Sequence, residues 1–159
     1  MSEMEKLAGM LRQEQEKEKN GAEALERTLT IWQTALHDLA TKVAGWASTL
    51  QEQGIAQYKL TVIDVLDTFP DGEKRSYKAD QISISLGKHT VVFKPSTRFI
   101  VGAAGRVEVL GLPSKDEVFL IRNAADLDEW SLVEKNSGKR QVRNFDEDVF
   151  AILLQSLIK

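Results

Sequence analysis

From Leu25 onward the large apolar residues fall at Leu25, Leu29, Trp32, Leu36, Leu39, Val43, Trp46 and Leu50, alternately four and three residues apart. A strand, whose side chains repeat every two residues, cannot produce that spacing, whereas an α-helix turns it into a continuous seam along one side. Ala22 carries the seam one step upstream. At the other end Gly54 follows the polar turn Gln51, Glu52, Gln53, where a helix usually terminates. The spacing predicts a helix over 22–53.

Upstream the next core positions are Glu18 and Gln15, the stretch 12–20 is almost wholly polar, and Asn20-Gly21 reads as a break. Residues 1–21 are therefore expected to be a separate polar segment, helical or frayed, with Met4, Leu7 and Leu11 on one face. So few apolar side chains cannot hold a helix alone in water, and the segment needs a partner to be ordered.

Two burial modes fit the seam. It can pair with a second copy as a coiled coil, or it can lie across an apolar face of its own chain. Trp32 and Trp46 are bulky for a narrow two-stranded coil, and Ile31, Ala35, Ala40 and Ala47 broaden the stripe, which suits packing on a sheet. The two modes do not exclude each other.

After Gly54 the period changes to two. Tyr58, Leu60 and Val62 alternate with Lys59 and Thr61, and Ile82, Ile84 and Leu86 alternate with Ser83 and Ser85. Strands are expected at 58–66, 75–86, 90–94, 98–101, 106–110, 117–122, 130–134 and 139–142, with the third ending at Pro95. Between them stand Pro70-Asp71-Gly72, Gly87-Lys88, the Gly102 to Gly105 turn, Gly111-Leu112-Pro113-Ser114 and Asn136-Ser137-Gly138. Short connections of this kind give an antiparallel arrangement and leave no room for βαβ units.

The chain closes on a marked helix. Asp146 is a good N-cap, Glu147 and Asp148 suit the first turn, and Phe145 and Phe150 have the spacing of a hydrophobic staple. The fold class is thus α+β: a long N-terminal helix, an antiparallel β meander or roll of about seven strands over 54–159, and a C-terminal capping helix. Seven or eight strands before a C-terminal helix resemble the pleckstrin-homology arrangement in topology. A helix cradled by a curved sheet resembles the hotdog or cystatin arrangement. No sequence motif accompanies either.

Composition narrows the chemistry. There is no cysteine, so disulfides, zinc-thiolate sites and cysteine nucleophiles are excluded, and an intracellular, cytoplasmic setting is expected. Charges occupy the opening residues where a signal peptide needs an apolar stretch, and the longest apolar runs are six residues against the roughly 20 of a membrane span.

His37, on the flank of the helix, and His89, in a turn, are not at metal-ligand spacing, and both are expected to be solvent-exposed. The acids Asp126, Asp128 and Glu129 sit in a loop, while Asp146, Glu147 and Asp148 are explained by helix capping. Gly102-Ala103-Ala104-Gly105-Arg106 lacks the lysine and following helix of a phosphate loop and reads as a turn. No catalytic residue, metal site or cofactor is expected.

Positive charge is the least trivial signal. Residues 71–106 carry seven basic residues against three acids, and Lys139, Arg140 and Arg143 form a second group. Lys74, Arg75, Lys78, Lys94, Arg98, Arg106, Lys139, Arg140 and Arg143 would form a phosphate-binding face if the first and last hairpins shared a side. Residues 54–159 as a whole, however, hold 15 basic and 15 acidic residues, and the net charge of the chain is −3. The expectation is a non-enzymatic protein-interaction module that self-associates, first of all as a dimer, or docks a protein partner through the helix at Leu25 to Leu50. The alternative is binding of nucleic acid or anionic lipid through basic strand faces. An enzymatic pocket using the acids of 126–129 is a third and weaker reading.

Overall fold

The computed structural model describes residues 2–113 and 117–158. Ser114, the last residue of the expected turn Gly111-Leu112-Pro113-Ser114, lies outside the described residues. The chain is an α+β protein in the order α1 (Glu3–Glu52), β1 (Gln57–Thr68), β2 (Lys74–Leu86), β3 (His89–Thr97), β4 (Arg106–Leu110), β5 (Glu117–Arg122), β6 (Trp130–Asn136), β7 (Lys139–Asn144) and α2 (Glu147–Gln155). It divides into two compact units, Met1–Trp32 and Gln33–Lys159.

The first unit is helical. α1 runs through Asn20-Gly21 without interruption, so the expected break is absent. A glycine inside a helix costs only about 1 kcal/mol relative to alanine, too little to stop a helix flanked by Glu, Lys and Ala. Most residues of this unit are exposed, including Met4, Leu7, Met10 and Leu11.

The second unit begins inside α1 and contains the sheet and α2. α1 ends where Gly54, at φ +72, donates its N–H to the Gln51 carbonyl and Ile55 donates to that of Leu50. These two bonds close a Schellman cap, which needs a residue able to adopt left-handed backbone. Seven strands then follow in simple sequential order, every neighbour antiparallel.

The register sorts the side chains. Ile82 opposes Phe93, which opposes Val109; Pro95 opposes Val107, which opposes Leu120, which opposes Leu132. All of these apolar residues are buried and lie on one face of the sheet. Leu36, Leu39 and Ala40 of α1 meet Ile82, Phe93, Pro95 and Val107 on that face. Trp46 adds ring contacts to Phe145 and Phe150, each with centroids 5.5 Å apart, so α1 and α2 share one aromatic cluster. Phe93 joins it at 6.0 Å from Phe145 and 6.3 Å from Phe150.

α2 starts as its sequence predicts. The Asp146 carboxylate accepts from Val149 N–H at 2.9 Å, and the staple pair Phe145 and Phe150 stands edge to face at 6.4 Å.

Two strand expectations need correction. Residues 98–101 form no strand, only an isolated bridge between Ile100 and Ala103. The Asp67 carboxylate takes the Arg98 N–H at 2.8 Å and the Thr97 hydroxyl at 2.5 Å, and the Thr97 hydroxyl oxygen accepts from Phe99 N–H. These local bonds engage the donors a ladder would use. β3 also continues through Pro95 to Thr97. Its pairing with β2 stops at Phe93, and a bulge lies between Pro95 and Thr97, so the missing proline donor costs no ladder bond on that side.

Glycine positions separate by conformation. Gly111 has φ +95, and a Cβ there would run into the carbonyl of Thr90. Gly45 sits mid-helix with open space around the Cβ position. Gly111→Ala should lower the unfolding free energy by about 1–3 kcal/mol, and Gly45→Ala should raise it by about 0.5–1 kcal/mol. Urea titration of each variant checks both signs, with an unchanged slope marking intact two-state unfolding.

Candidate functional site

The seam residues divide between the two units. Leu36, Leu39 and Val43 are buried, Trp46 is packed on Phe145 and Phe150, and Leu50 is half-buried. This stretch is covered by its own chain. In the first unit Trp32 is buried, whereas Leu25 and Leu29 are half-buried.

The seam also extends further upstream than its interruption suggests. Stepping back by fours and threes from Ala22 passes Glu18 and Gln15 and lands on Leu11, Ala8 and Met4. One uninterrupted helix keeps these positions in phase, so Gln15 and Glu18 are two polar layers within a seam. Met4, Leu7, Met10 and Leu11 are 75, 48, 64 and 50% exposed. The signal was present in the spacing but hidden by the expected break at Gly21.

The basic residues are spread over several strands. β2 and β7 stand apart in the sheet with four strands between them. Arg75 is bound by Asp71 at 2.5 Å and Glu73 at 3.0 Å, and Lys78 by Asp64 at 2.6 Å. Arg143 is bound by Glu134 at 3.3 Å. Arg106 is held by Glu108 at 2.6 Å and by Glu117, and its guanidinium lies 3.7 Å from the centre of the Phe119 ring. Lys94 faces Glu108 across the β3–β4 ladder. Lys74 lies in β2, and Lys139 and Arg140 lie in β7, all exposed.

His37 has a partner that sequence distance concealed: its Nδ1 lies 2.5 Å from Asp80 Oδ2, pinning α1 to β2. His89 opposes Leu86 at the β2–β3 turn. Among the described residues no group of three or more His, Asp or Glu side chains could hold a metal ion, and no helix is long and apolar enough to cross a membrane.

The loop acids have separate duties. The Asp126 side chain accepts from Asp128 N–H at 3.1 Å, and the Asp126 carbonyl accepts from Glu129 N–H. Asp128 lines a cleft of about 290 Å³ between α1 and the 123–129 loop, together with Asp38, Lys42, Arg122 and Trp130. An adjoining hollow of about 220 Å³ shares Leu39, Lys42, Asp128 and Trp130 and adds Glu129 and Asp146. Burial pushes the Arg122 guanidinium below its ordinary value, with the nearby charge of Arg98 acting in the same direction and Asp128 and Asp38 opposing it. Arg98, itself partly buried, is also lowered. Sequence reading passed over Arg122 because it is one arginine at the end of an apolar strand.

No family model, curated protein or solved structure matches this chain.

The Arg106 cluster gives a pH signature. Its hydrogen bond to Glu117 holds that carboxyl below the usual range, helped by the charges of Arg106 and Lys135. A carboxyl lowered by folding contributes stability above its unfolded value and loses it as pH falls through the folded value. Arg106→Gln should shift the Glu117 titration upward, toward an ordinary carboxylate. Side-chain NMR titration reads this directly, and an unchanged midpoint would show that Arg106 is not the cause.

Proposed function

We propose that this chain is a non-enzymatic protein-interaction module whose N-terminal helix associates with the same helix of a second copy. The observation that carries the reading is the state of α1 before Trp32: a helical unit whose Met4 and Leu11 stand exposed in phase with the downstream seam, with Leu7 and Met10 exposed beside them. A single helix in water has no face on which to bury such residues, and its stability must come from packing. Pairing with another copy covers them, and each large side chain removed from water contributes about 1.5–3 kcal/mol. Gln15 and Glu18 then act as polar core layers, which fix register at some cost in stability.

Binding of nucleic acid or anionic lipid has less support. Arg75, Lys78, Arg106 and Arg143 already have carboxylate partners, and residues 54–159 carry balanced charge.

Light scattering across a concentration series tests the proposal. The intact chain should reach the mass of two copies, and Leu11→Glu combined with Leu25→Glu should return it to one. Circular dichroism should show the strand content of both proteins unchanged. A single-copy mass for the intact chain at every concentration contradicts the proposal.

A further inference from the structure

Arg122 is buried, with 7% of its surface exposed, at the floor of the cleft between α1 and the 123–129 loop. Its Nε donates to the Leu127 carbonyl at 2.8 Å, which explains one of its nitrogens. Among the described residues its terminal nitrogens meet no hydrogen-bond acceptor, and no carboxylate lies within the 4.0 Å of an ion pair. Among the described residues no buried side-chain nitrogen lacks a partner, so these terminal nitrogens open into the cleft rather than into packed protein. A guanidinium taken out of water is costly unless something bonds its forked donors, and a carboxylate matches that fork in two parallel bonds.

The rest of the cleft decides which carboxylate. Asp38 and Asp128 line it opposite in charge to Arg122 and Lys42, so its formal charge is balanced. A phosphate dianion would meet both acids. A molecule carrying a carboxylate at one end and an ammonium at the other would satisfy both signs. Leu39 and the buried Trp130 supply an apolar wall for a side chain. At about 290 Å³ the cleft lies just under the ~300–1,000 Å³ of drug-sized pockets, and so suits a small molecule.

We propose that this cleft binds a free α-amino acid, its carboxylate on the terminal nitrogens of Arg122 with Lys42 beside it, and its ammonium against Asp38 and Asp128. The site uses no residue of the Met4 to Leu29 seam, so it stands or falls independently of self-association.

NMR titration of the full chain, following the Trp130 indole N–H signal, tests the assignment with each standard α-amino acid, with acetate, with methylammonium and with inorganic phosphate. At least one amino acid should saturate the signal below about 10 mM and bind at least about tenfold more tightly than acetate or methylammonium. Arg122→Lys, which keeps the charge but loses the fork, should weaken it about tenfold or more. Asp38→Asn combined with Asp128→Asn, both at exposed positions, should weaken it similarly and serves as the reporter if the Arg122 variant does not fold. Phosphate binding more tightly than every amino acid overturns the proposal. So does the absence of any saturable amino acid, or binding left intact in the folded double variant.

Discussion

The structure of the second unit depends on covering one face of its sheet. A seven-stranded meander exposes two faces, and the centre of one is apolar, formed by Ile82, Phe93, Val107, Val109, Leu120 and Leu132. With no disulfide to hold the strands, that face must be removed from water by helices. Leu36, Leu39 and Ala40 approach from α1, while Phe150, Leu153 and Leu154 of α2 are buried. Trp46 joins the two helices through Phe145 and Phe150. His37 and Asp80 fix the position of α1 on β2, and Gln33 adds a hydrogen bond from its side chain to the Lys78 carbonyl at 2.7 Å.

The opposite face manages without a helix because its side chains satisfy one another. Asp67 is buried but accepts from the Tyr77 hydroxyl, the Thr97 hydroxyl and the Arg98 N–H. Phe69, Tyr77 and Phe99 pack beside it. Phe119, also buried, is roofed by the Arg106 guanidinium, with Lys135 5.6 Å from the ring centre. Long cationic side chains can cover apolar rings while keeping their heads in water, and here Glu108 and Glu117 hold the Arg106 head in place. Elsewhere on the sheet, carboxylates pair the basic residues Arg75, Lys78 and Arg143 as well.

Periodicity carried most of the architecture. The four-three spacing from Leu25 to Leu50 identified α1, the alternation at Tyr58 to Val62 and Ile82 to Leu86 identified strands, and Asp146 with the Phe145 and Phe150 staple located α2. What periodicity did not reveal depended on distant pairs. The 98–101 stretch has strand-like residues, yet Asp67, some thirty positions away, engages its backbone. Pro95 reads as a stop until the pairing on its β2 side is known to have ended already. At Gly21 a local breaker misled in the other direction, hiding that Leu11 and Met4 share the phase of Leu25. Arg122 was invisible as a site because only the fold brings Asp38 and Lys42 of α1 to the same cleft.

α1 therefore has two jobs along one seam: its part from Gln33 onward belongs to the sheet's core, and its earlier part is proposed to meet a second copy. Hydrogen exchange followed along α1 at several protein concentrations tests that division most directly. Amides of residues 33–52 should be strongly protected at every concentration, because their opening exposes the core. Those of residues 5–30 should exchange quickly in dilute solution and gain protection as concentration rises. Protection of residues 5–30 that does not change with concentration, or residues 33–52 exchanging as fast as they do, would contradict the account.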